Sequence, residues 1–282
     1  MMGEKVTVYS AKWDPHISTF ATVRALFKEI RDHRWHIAQL FRRDFFANSR
    51  LTRFGSVWNY ILPLVPLTVW VLLNALRLFP GFNGVSSVVY VTLGITFWFL
   101  FAGFVSVPIG TIESRIKEVA RSQMPLVGMI IAGFATLSFD TLVRIVGTAI
   151  VFAIFHGLPD WKIILVPIVV FFGTLFFSGL GLTLGVFNLA YRDIGKLVTI
   201  ALQYGILLSS IIFPLDQIEF LGKISLFNPF YVFIDAIRTL TVFGEIRHPV
   251  PLAVFSGLGV LIFLFSCRLL YISQSRLKGF AQ

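Results

Sequence analysis

Two ionisable side chains interrupt an otherwise uncharged stretch of this 282-residue chain. Asp140 and Arg144 lie four residues apart between Leu126 and Phe155, so a helix would place both on one face and let their charges neutralise each other. Ionisable residues inside an apolar membrane helix commonly mark a functional site, but the same spacing suits a structural ion pair that faces a neighbouring helix. The sequence leaves both interpretations open.

Other patterns argue against catalysis by the chain itself. It has no G-x-x-x-x-G-K-[ST] phosphate-binding loop, its five histidines show no zinc-ligand spacing, and no D-x-x-x-D pair lies at the edge of an apolar stretch. The single cysteine, Cys267, excludes an internal disulfide and Cys-rich metal sites. Gly179, Gly181 and Gly185 lie within an apolar run, where small residues allow helices to approach closely. We therefore predict neither a catalytic residue nor a bound metal.

Aromatic side chains are abundant and make up 16% of the residues. Most are expected to face lipid or to pack between helices. A subset is a candidate path for sugars, because the apolar C–H faces of sugar rings stack on aromatic rings. These candidates are Tyr60, Tyr90, Phe97 and Trp98.

The composition excludes a soluble globular domain. Hydrophobic residues make up 56% of the chain, charged residues 13%, and the mean hydropathy is +0.83, whereas soluble domains have roughly 45–50% apolar and about 25% charged residues. The net charge of +10 does not indicate nucleic acid, because ten of the 24 Lys and Arg residues fall in the first 53 positions, directly before an apolar run. We predict an all-α integral membrane protein.

The apolar runs predict six transmembrane helices, since about 20 residues cross the hydrocarbon core. With the N-terminus inside, 18 Lys and Arg residues lie on the inner side and five on the outer side, so both termini are predicted to be cytoplasmic. Residues 1–54 would form a cytoplasmic tail with an interfacial helix, and residues 55–282 the transmembrane domain. The predicted spans are 56–76, 87–108, 126–155, 163–189, 197–213 and 250–271.

Residues 17–47 have the pattern of a basic amphipathic helix. Phe20, Val23, Phe27 and Ile30 recur at helical spacing with basic residues between them, which is typical of a helix lying in the inner membrane interface. A solvated helix packed on a partner is the alternative. The candidate aromatic anchors are Trp13, Trp35 and Phe41.

The segment 214–249 does not fit a simple hairpin between the last two spans. Its longest uncharged run, Ile224–Ile234, is too short to cross a membrane, and Asn228-Pro229 would interrupt a helix. Because irregular backbone at membrane depth needs shielding by protein or a water-filled cavity, we predict one or two short re-entrant helices here.

Five short motifs occur in order over residues 40–240, and together they resemble the ABC-2 type permeases that export polysaccharides. Asn48 and Ser49 depart from that pattern, which often has an aromatic-basic pair at their place. The motifs are Arg43-Asp44-Phe45-Phe46 followed by Arg50, Gly55, Trp58 and Pro63; Arg121 to Pro125; Tyr191-Arg192-Asp193-Ile194; Phe213-Pro214 with Leu215 and Ile218; and Asn228-Pro229 through Arg238.

The resemblance implies that the chain is the membrane half of an ATP-binding cassette exporter in a bacterial inner membrane. It would work as a homodimer with two separate ATPase subunits that bind ATP and Mg²⁺, in agreement with the missing phosphate-binding loop. A channel along the dimer axis would carry a lipid-linked polymer, with the re-entrant helices near its exit. The N-terminal helix and the loop between the second and third spans would contact the ATPase; that loop contains Glu113, Arg115, Lys117, Glu118 and Arg121.

Several substrates and two other classes of function stay open at this point. The resemblance favours O-antigen or capsule, with teichoic acid as a further glycan and a drug or small lipid as the alternative cargo. A membrane-embedded glycosyl- or prenyltransferase would need paired carboxylates at a membrane face, and the carboxylates here are dispersed. A purely structural membrane anchor does not account for the segment 214–249.

Overall fold

A computed structural model of the chain describes residues 18–47, 54–76, 85–121, 125–214 and 219–280. Within these ranges the protein is all-helical and has no β-strand. Two short 3-10 helices, Gly55–Val57 and Trp161–Leu165, precede α3 and α6. The α-helices are α1 (Thr19–Asp32), α2 (Arg34–Ala47), α3 (Trp58–Ala75), α4 (Ser87–Arg121), α5 (Leu126–Phe155), α6 (Val166–Ala190), α7 (Asp193–Leu208), α8 (Glu219–Ser225), α9 (Pro229–Phe243) and α10 (Pro249–Phe280).

Five helical segments in the described part are long and apolar enough to cross a membrane, so the all-α, multi-pass prediction is confirmed. The third predicted span, 126–155, coincides with α5. The second continues as one helix to Arg121, so the predicted loop from Glu113 onward begins as an extension of α4. The segments are Gly55–Leu73, Ser87–Arg115, Leu126–Phe155, Trp161–Ala190 and Pro249–Gln274.

The predicted fifth span, 197–213, corresponds to the shorter helix α7. Its 16 residues, Asp193–Leu208, cover about 24 Å at 1.5 Å per residue, against a hydrocarbon core of about 30 Å. The helix stops at Ser209, and Ser210 has φ 53°, a left-handed conformation that cannot continue an α-helix. A sixth span therefore stays a prediction.

Helix α4 forms the centre of the bundle: 83% of an apolar 18-residue stretch of this helix is buried, and it packs against α3, α5, α6, α7 and α9. Helix α6 packs closely against both α4 and α10 at its glycine residues. A methyl group added at Gly179 would lie 2.7 Å from the backbone nitrogen of Phe263, and one at Gly185 would lie 3.3 Å from the backbone nitrogen of Ile109. The predicted close-packing role of the glycines is confirmed, since any side chain there would force the backbones apart.

The predicted amphipathic segment is two helices rather than one, with a break at His33. The ring Nδ1 of His33 donates to the Glu29 carbonyl oxygen at 2.9 Å and helps to cap the end of α1. The residues of the expected apolar face all lie on α1, and they differ in burial. Val23 and Ile30 pack on the protein core, whereas Phe20 and Phe27 are 85% and 65% exposed.

Two of the proposed anchors also differ in their surroundings. Trp35 is 72% exposed and lies beside the Arg34 guanidinium, 5.7 Å from the ring centroid. Phe41 packs against the same core as Val23, so it holds α2 to the bundle instead of facing outward. Trp13 lies outside the described residues, as do Arg50, the motif residues 122–124, Leu215 and Ile218.

The segment 214–249 contains the two short helices that its pattern predicts, α8 and α9. Asn228 caps α9 by accepting a hydrogen bond from the Phe230 backbone N–H at 3.0 Å, and Pro229 occupies the first turn, where no N–H is needed. Gly244 ends α9 with φ 68°. Helix α9 is buried from Tyr231 to Thr241 among α4, α6 and α10. It is thus an internal helix too short to span.

Candidate functional site

An ion pair between two predicted site residues joins helix α2 to the C-terminal part of α4. Arg115 donates from Nη2 to Oδ2 of Asp44, and Asp44 also lies 3.3 Å from Nε of Arg43. The side chains of Asp44 and Arg115 are 27% and 22% exposed. A charge-assisted contact therefore links α2 directly to α4. The side chains of Lys117, Glu118 and Arg121, further along α4, lie outside the described part.

Helix α1 is joined in a similar way to the end of α10. Gln274 donates from Nε2 to both carboxylate oxygens of Glu29 at 2.8 Å, and its Oε1 accepts from the Val127 backbone N–H at 3.3 Å. Val127 lies in the first turn of α5, where backbone N–H groups lack partners within the helix. One amide side chain thus links α1, α5 and α10.

A third polar link connects α4, α6 and α7. Asn188, 3% exposed, donates to Glu113 Oε2 at 3.4 Å and accepts from the Gly195 backbone N–H at 2.8 Å. Glu113 is thereby placed beside the start of α7. We call the region of these three links the α2 end of the bundle; it comprises Glu29, Asp44, Glu113, Arg115, Asn188 and Gln274.

The first span also starts at the α2 end. Gly55 has φ 49°, which favours glycine and turns the chain into the helix. Asn59 then donates to the Phe45 carbonyl oxygen at 2.9 Å and ties α3 to α2. Trp58 stacks edge-on against its own segment at Phe54. Pro63 lies inside α3, where it removes a backbone hydrogen bond. These motif residues shape the approach of α2 to the first span.

The opposite end of the bundle contains a polar cluster in which Tyr90, Ser210 and Arg238 are buried and Asn228 is half-buried. The Arg238 guanidinium lies 3.5 Å from the ring centroid of Tyr90 and donates to the Ser210 carbonyl oxygen at 3.2 Å. The Tyr90 hydroxyl donates to the same carbonyl at 2.9 Å. Asn228 donates to Leu208 O and Ser209 Oγ at 3.1 and 2.9 Å. We call Tyr90, Ser210, Asn228 and Arg238 the α9 end; its contacts fix the end of α7 in a left-handed turn.

Asp140 and Arg144 line an open groove between α4, α5 and α7, with a volume of about 560 Å³. The two side chains do not approach within 4.0 Å as an ion pair, and the Arg144 guanidinium instead lies 4.7 Å from the ring centroid of Phe99. Arg144 Nε is buried and donates no hydrogen bond to any described residue. Trp98 forms another wall of this groove.

The four candidate sugar-path aromatics do not lie together. Tyr60 is 51% exposed and contacts Phe139 edge-on. Phe97 is buried beside Phe101 in the aromatic core of the bundle. Tyr90 belongs to the α9 end, and Trp98 to the groove. Their proposed contact with sugars stays a prediction.

Comparison with known proteins agrees with this architecture. The ABC-2 type transporter family matches residues 36–242, nearly three quarters of the chain, from α2 to the last turn of α9. The chain belongs to this family. It is also similar to the O-antigen export system permease protein RfbA of Myxococcus xanthus, with 21% identity over 261 residues that make up 91% of this chain and 98% of the relative. The family resemblance drawn from five motifs is thus confirmed.

Three connecting residues of this permease escaped the motif analysis: Asn188, Ser210 and Gln274. Asn188 and Gln274 are amides near the ends of long apolar helices, and that position is the signal that singles them out. Ser210 has no such signal, since serine seldom adopts positive φ and its conformation depends on Tyr90 and Arg238. The motif residues Tyr191 and Arg192 are exposed just before α7.

Proposed function

We propose that this permease is the membrane subunit of an ATP-binding cassette exporter that moves a lipid-linked polysaccharide, O-antigen or capsule, across the bacterial inner membrane. The observation that carries the proposal is the set of five motifs in register with the exporters of polysaccharides. Each motif alone is weak, but all begin and end inside the matched range 36–242. The similarity to an O-antigen export permease along nearly the whole of both chains supports the same substrate class.

Membership of the family implies a partner ATPase, and the α2 end is the surface we assign to it. We propose a homodimer that binds two ATPase subunits, on which ATP and Mg²⁺ are held. The support is geometric: Asp44 on α2 and Arg115 on α4 meet in one ion pair. A rigid-body push on this pair by the ATPase would act on the second span and on the interfacial helices together.

The proposed orientation places the α2 end and both termini in the cytoplasm. It is supported by the basic residues that cluster at this end and in the N-terminal segment, in line with the positive-inside rule. We further propose that α7 is a short sixth span. Asn188 holds one end of this helix, and Tyr90 and Arg238 hold the other. Residues 1–54 would then be the cytoplasmic tail with its interfacial helices, and 55–282 the transmembrane domain.

The re-entrant position of α8 and α9 belongs to the same proposal. Helix α9 lies within the bundle but is 15 residues long, about 22 Å, so it enters and leaves on the side of the α9 end. The buried Arg238 and the half-buried Asn228 satisfy backbone carbonyls that lipid would leave unpaired. In this arrangement the two helices would lie near the exit of the polymer.

Deletion of the gene tests the proposed function. The expected result is loss of glycan from the cell surface with accumulation of lipid-linked polymer inside, reversed by a plasmid copy. Normal surface display in a strain without a second exporter would refute it. Accumulation of a drug or small lipid with an unchanged glycan would support the alternative cargo, and turnover of a glycan donor by the purified chain without an ATPase would indicate a transferase.

A further inference from the structure

Building on the proposed function, we infer that the groove of Asp140 and Arg144 is a contact site for the sugar residues of the exported polymer. The groove lies halfway along α5 and is lined from the other side by Gln203 on α7 and Trp98 on α4. Its volume of about 560 Å³ falls within the range of roughly 300–1,000 Å³ that is common for ligand sites. It is therefore large enough for one or two sugar rings.

The hydrogen-bonding groups of the groove suit a polyol. The Asp140 carboxylate accepts no hydrogen bond from any described residue, and Arg144 keeps an unfilled buried donor at Nε. A carboxylate only accepts, a guanidinium only donates, and the Gln203 amide does both. A sugar hydroxyl donates and accepts, so it can satisfy all three groups.

The charge balance favours sugars over the other parts of a lipid-linked polymer. Asp140 and Arg144 carry opposite charges, so the groove has no net charge that would select a diphosphate. A lipid tail could not satisfy either group, and unsatisfied polar groups are costly within the membrane. Neutral hydroxyls, together with C–H faces that can lie against Trp98 and Phe99, meet both requirements.

The geometry of the groove suits the passage of a polymer better than the tight binding of one ligand. Asp140 and Arg144 attract each other without closing a contact pair, so each can exchange its hydrogen bonds between successive sugar hydroxyls. Transport along a path requires contacts that are favourable enough to admit a substrate and weak enough to release it. Sugar hydroxyls that pass two opposite charges not in contact with each other meet this condition.

Photo-crosslinking in living cells tests the inference. The photoreactive amino acid benzoylphenylalanine replaces Gln203 in the full-length permease, expressed with its ATPase, and the probe is the cells' own polymer labelled with radioactive glucose. The matched control is Leu142, 61% exposed on the opposite face of α5. We expect a radioactive adduct at position 203 but not at 142, and its loss in a strain lacking the glycosyltransferase that initiates the polymer.

The other outcomes overturn the inference. An adduct at 203 that persists without polymer synthesis would identify a phospholipid or, at twice the mass, a second copy of the chain. No radioactive adduct at 203, in a strain whose surface glycan depends on this permease, would refute the groove but leave the proposed function intact. Surface glycan that does not depend on the permease would instead refute both.

Substitutions that replace each charged side chain by a neutral amide provide a second measurement. Asp140→Asn and Arg144→Gln each remove one charge-assisted hydrogen bond, and we expect each to slow the appearance of glycan at the surface by about tenfold. Val146→Ala, on the exposed face of α5, is the matched control. Wild-type export by both charge variants at equal protein level would contradict the inference.

Discussion

At the α9 end, Arg238 is 4% exposed and has its guanidinium between the Tyr90 ring and the Ser210 carbonyl. At the α2 end, Asp44 and Arg115 keep 27% and 22% of their side chains exposed. A buried polar group costs several times more to leave unpaired than a partly hydrated one. The Arg238 cluster should therefore contribute more to stability than the Asp44–Arg115 pair, which can change partners at little cost.

The largest expected effect lies at the α9 end. Arg238→Ala removes a buried hydrogen bond to Ser210 and the contact with the Tyr90 ring, and it leaves a cavity where the Arg238 side chain was buried. We expect a loss of about 3 kcal/mol in free energy of unfolding, measured by thermal unfolding of the purified permease in detergent. Arg192→Ala, an exposed arginine just before α7, is the control. Equal melting temperatures for the two variants would show that the buried cluster does not determine stability.

A smaller effect is expected at the α2 end for Gln274→Leu, which keeps volume but removes the links to Glu29 and Val127. The Glu29 carboxylate can regain water, but the buried Val127 N–H loses its partner, so we expect a loss of about 1–2 kcal/mol in the same unfolding experiment. The exposed amide variant Gln39→Leu should have almost no effect. A loss as large as that of Arg238→Ala would mean that both ends are equally rigid.

The sequence predicts long apolar elements well and the contacts between them poorly. The bounds 126–155 agree with α5 because a long apolar run, in which only Asp140 and Arg144 are ionisable, satisfies its own backbone hydrogen bonds in lipid by forming a helix. The shortness of α7 was not predicted, because the residues 209–213 are as permissible in a helix as those before them. Their turn depends on Tyr90, Asn228 and Arg238, which come from distant segments.

For the candidate site, too, the sequence predicts individual residues but not the contacts between distant ones. Asp44, a motif residue, and Arg115, in the predicted ATPase-contacting loop, were each predicted as site residues, but their pairing across 71 positions was not. Glu29 and Gln274 are 245 positions apart, and one sequence has no pattern that relates them. By contrast, Asp140 and Arg144 share a helix, so their common face follows from a period of 3.6 residues. Gln203 and Trp98 lie opposite that face, and only the folded structure shows that they do.

The central claim is that the α2 end transmits the work of the ATPase, and an exchange of charges tests it most directly. Arg115→Asp and Asp44→Arg each place like charges together, whereas the double variant restores an opposite pair. The side chains are partly hydrated, so none of the three should lose more than about 1 kcal/mol of stability. The control, Arg42→Asp, reverses a charge on the exposed face of α2.

Glycan export is measured in the deletion strain and ATP hydrolysis in the purified complex. The account predicts that each single reversal lowers the glycan exported per ATP hydrolysed by about tenfold, with assembly and folding intact, and that the double variant recovers most of it. Because ATP is hydrolysed in the cytoplasm, this result would also agree with the proposed orientation. Single reversals that export at the wild-type level, or a double variant no better than either single one, would contradict the account.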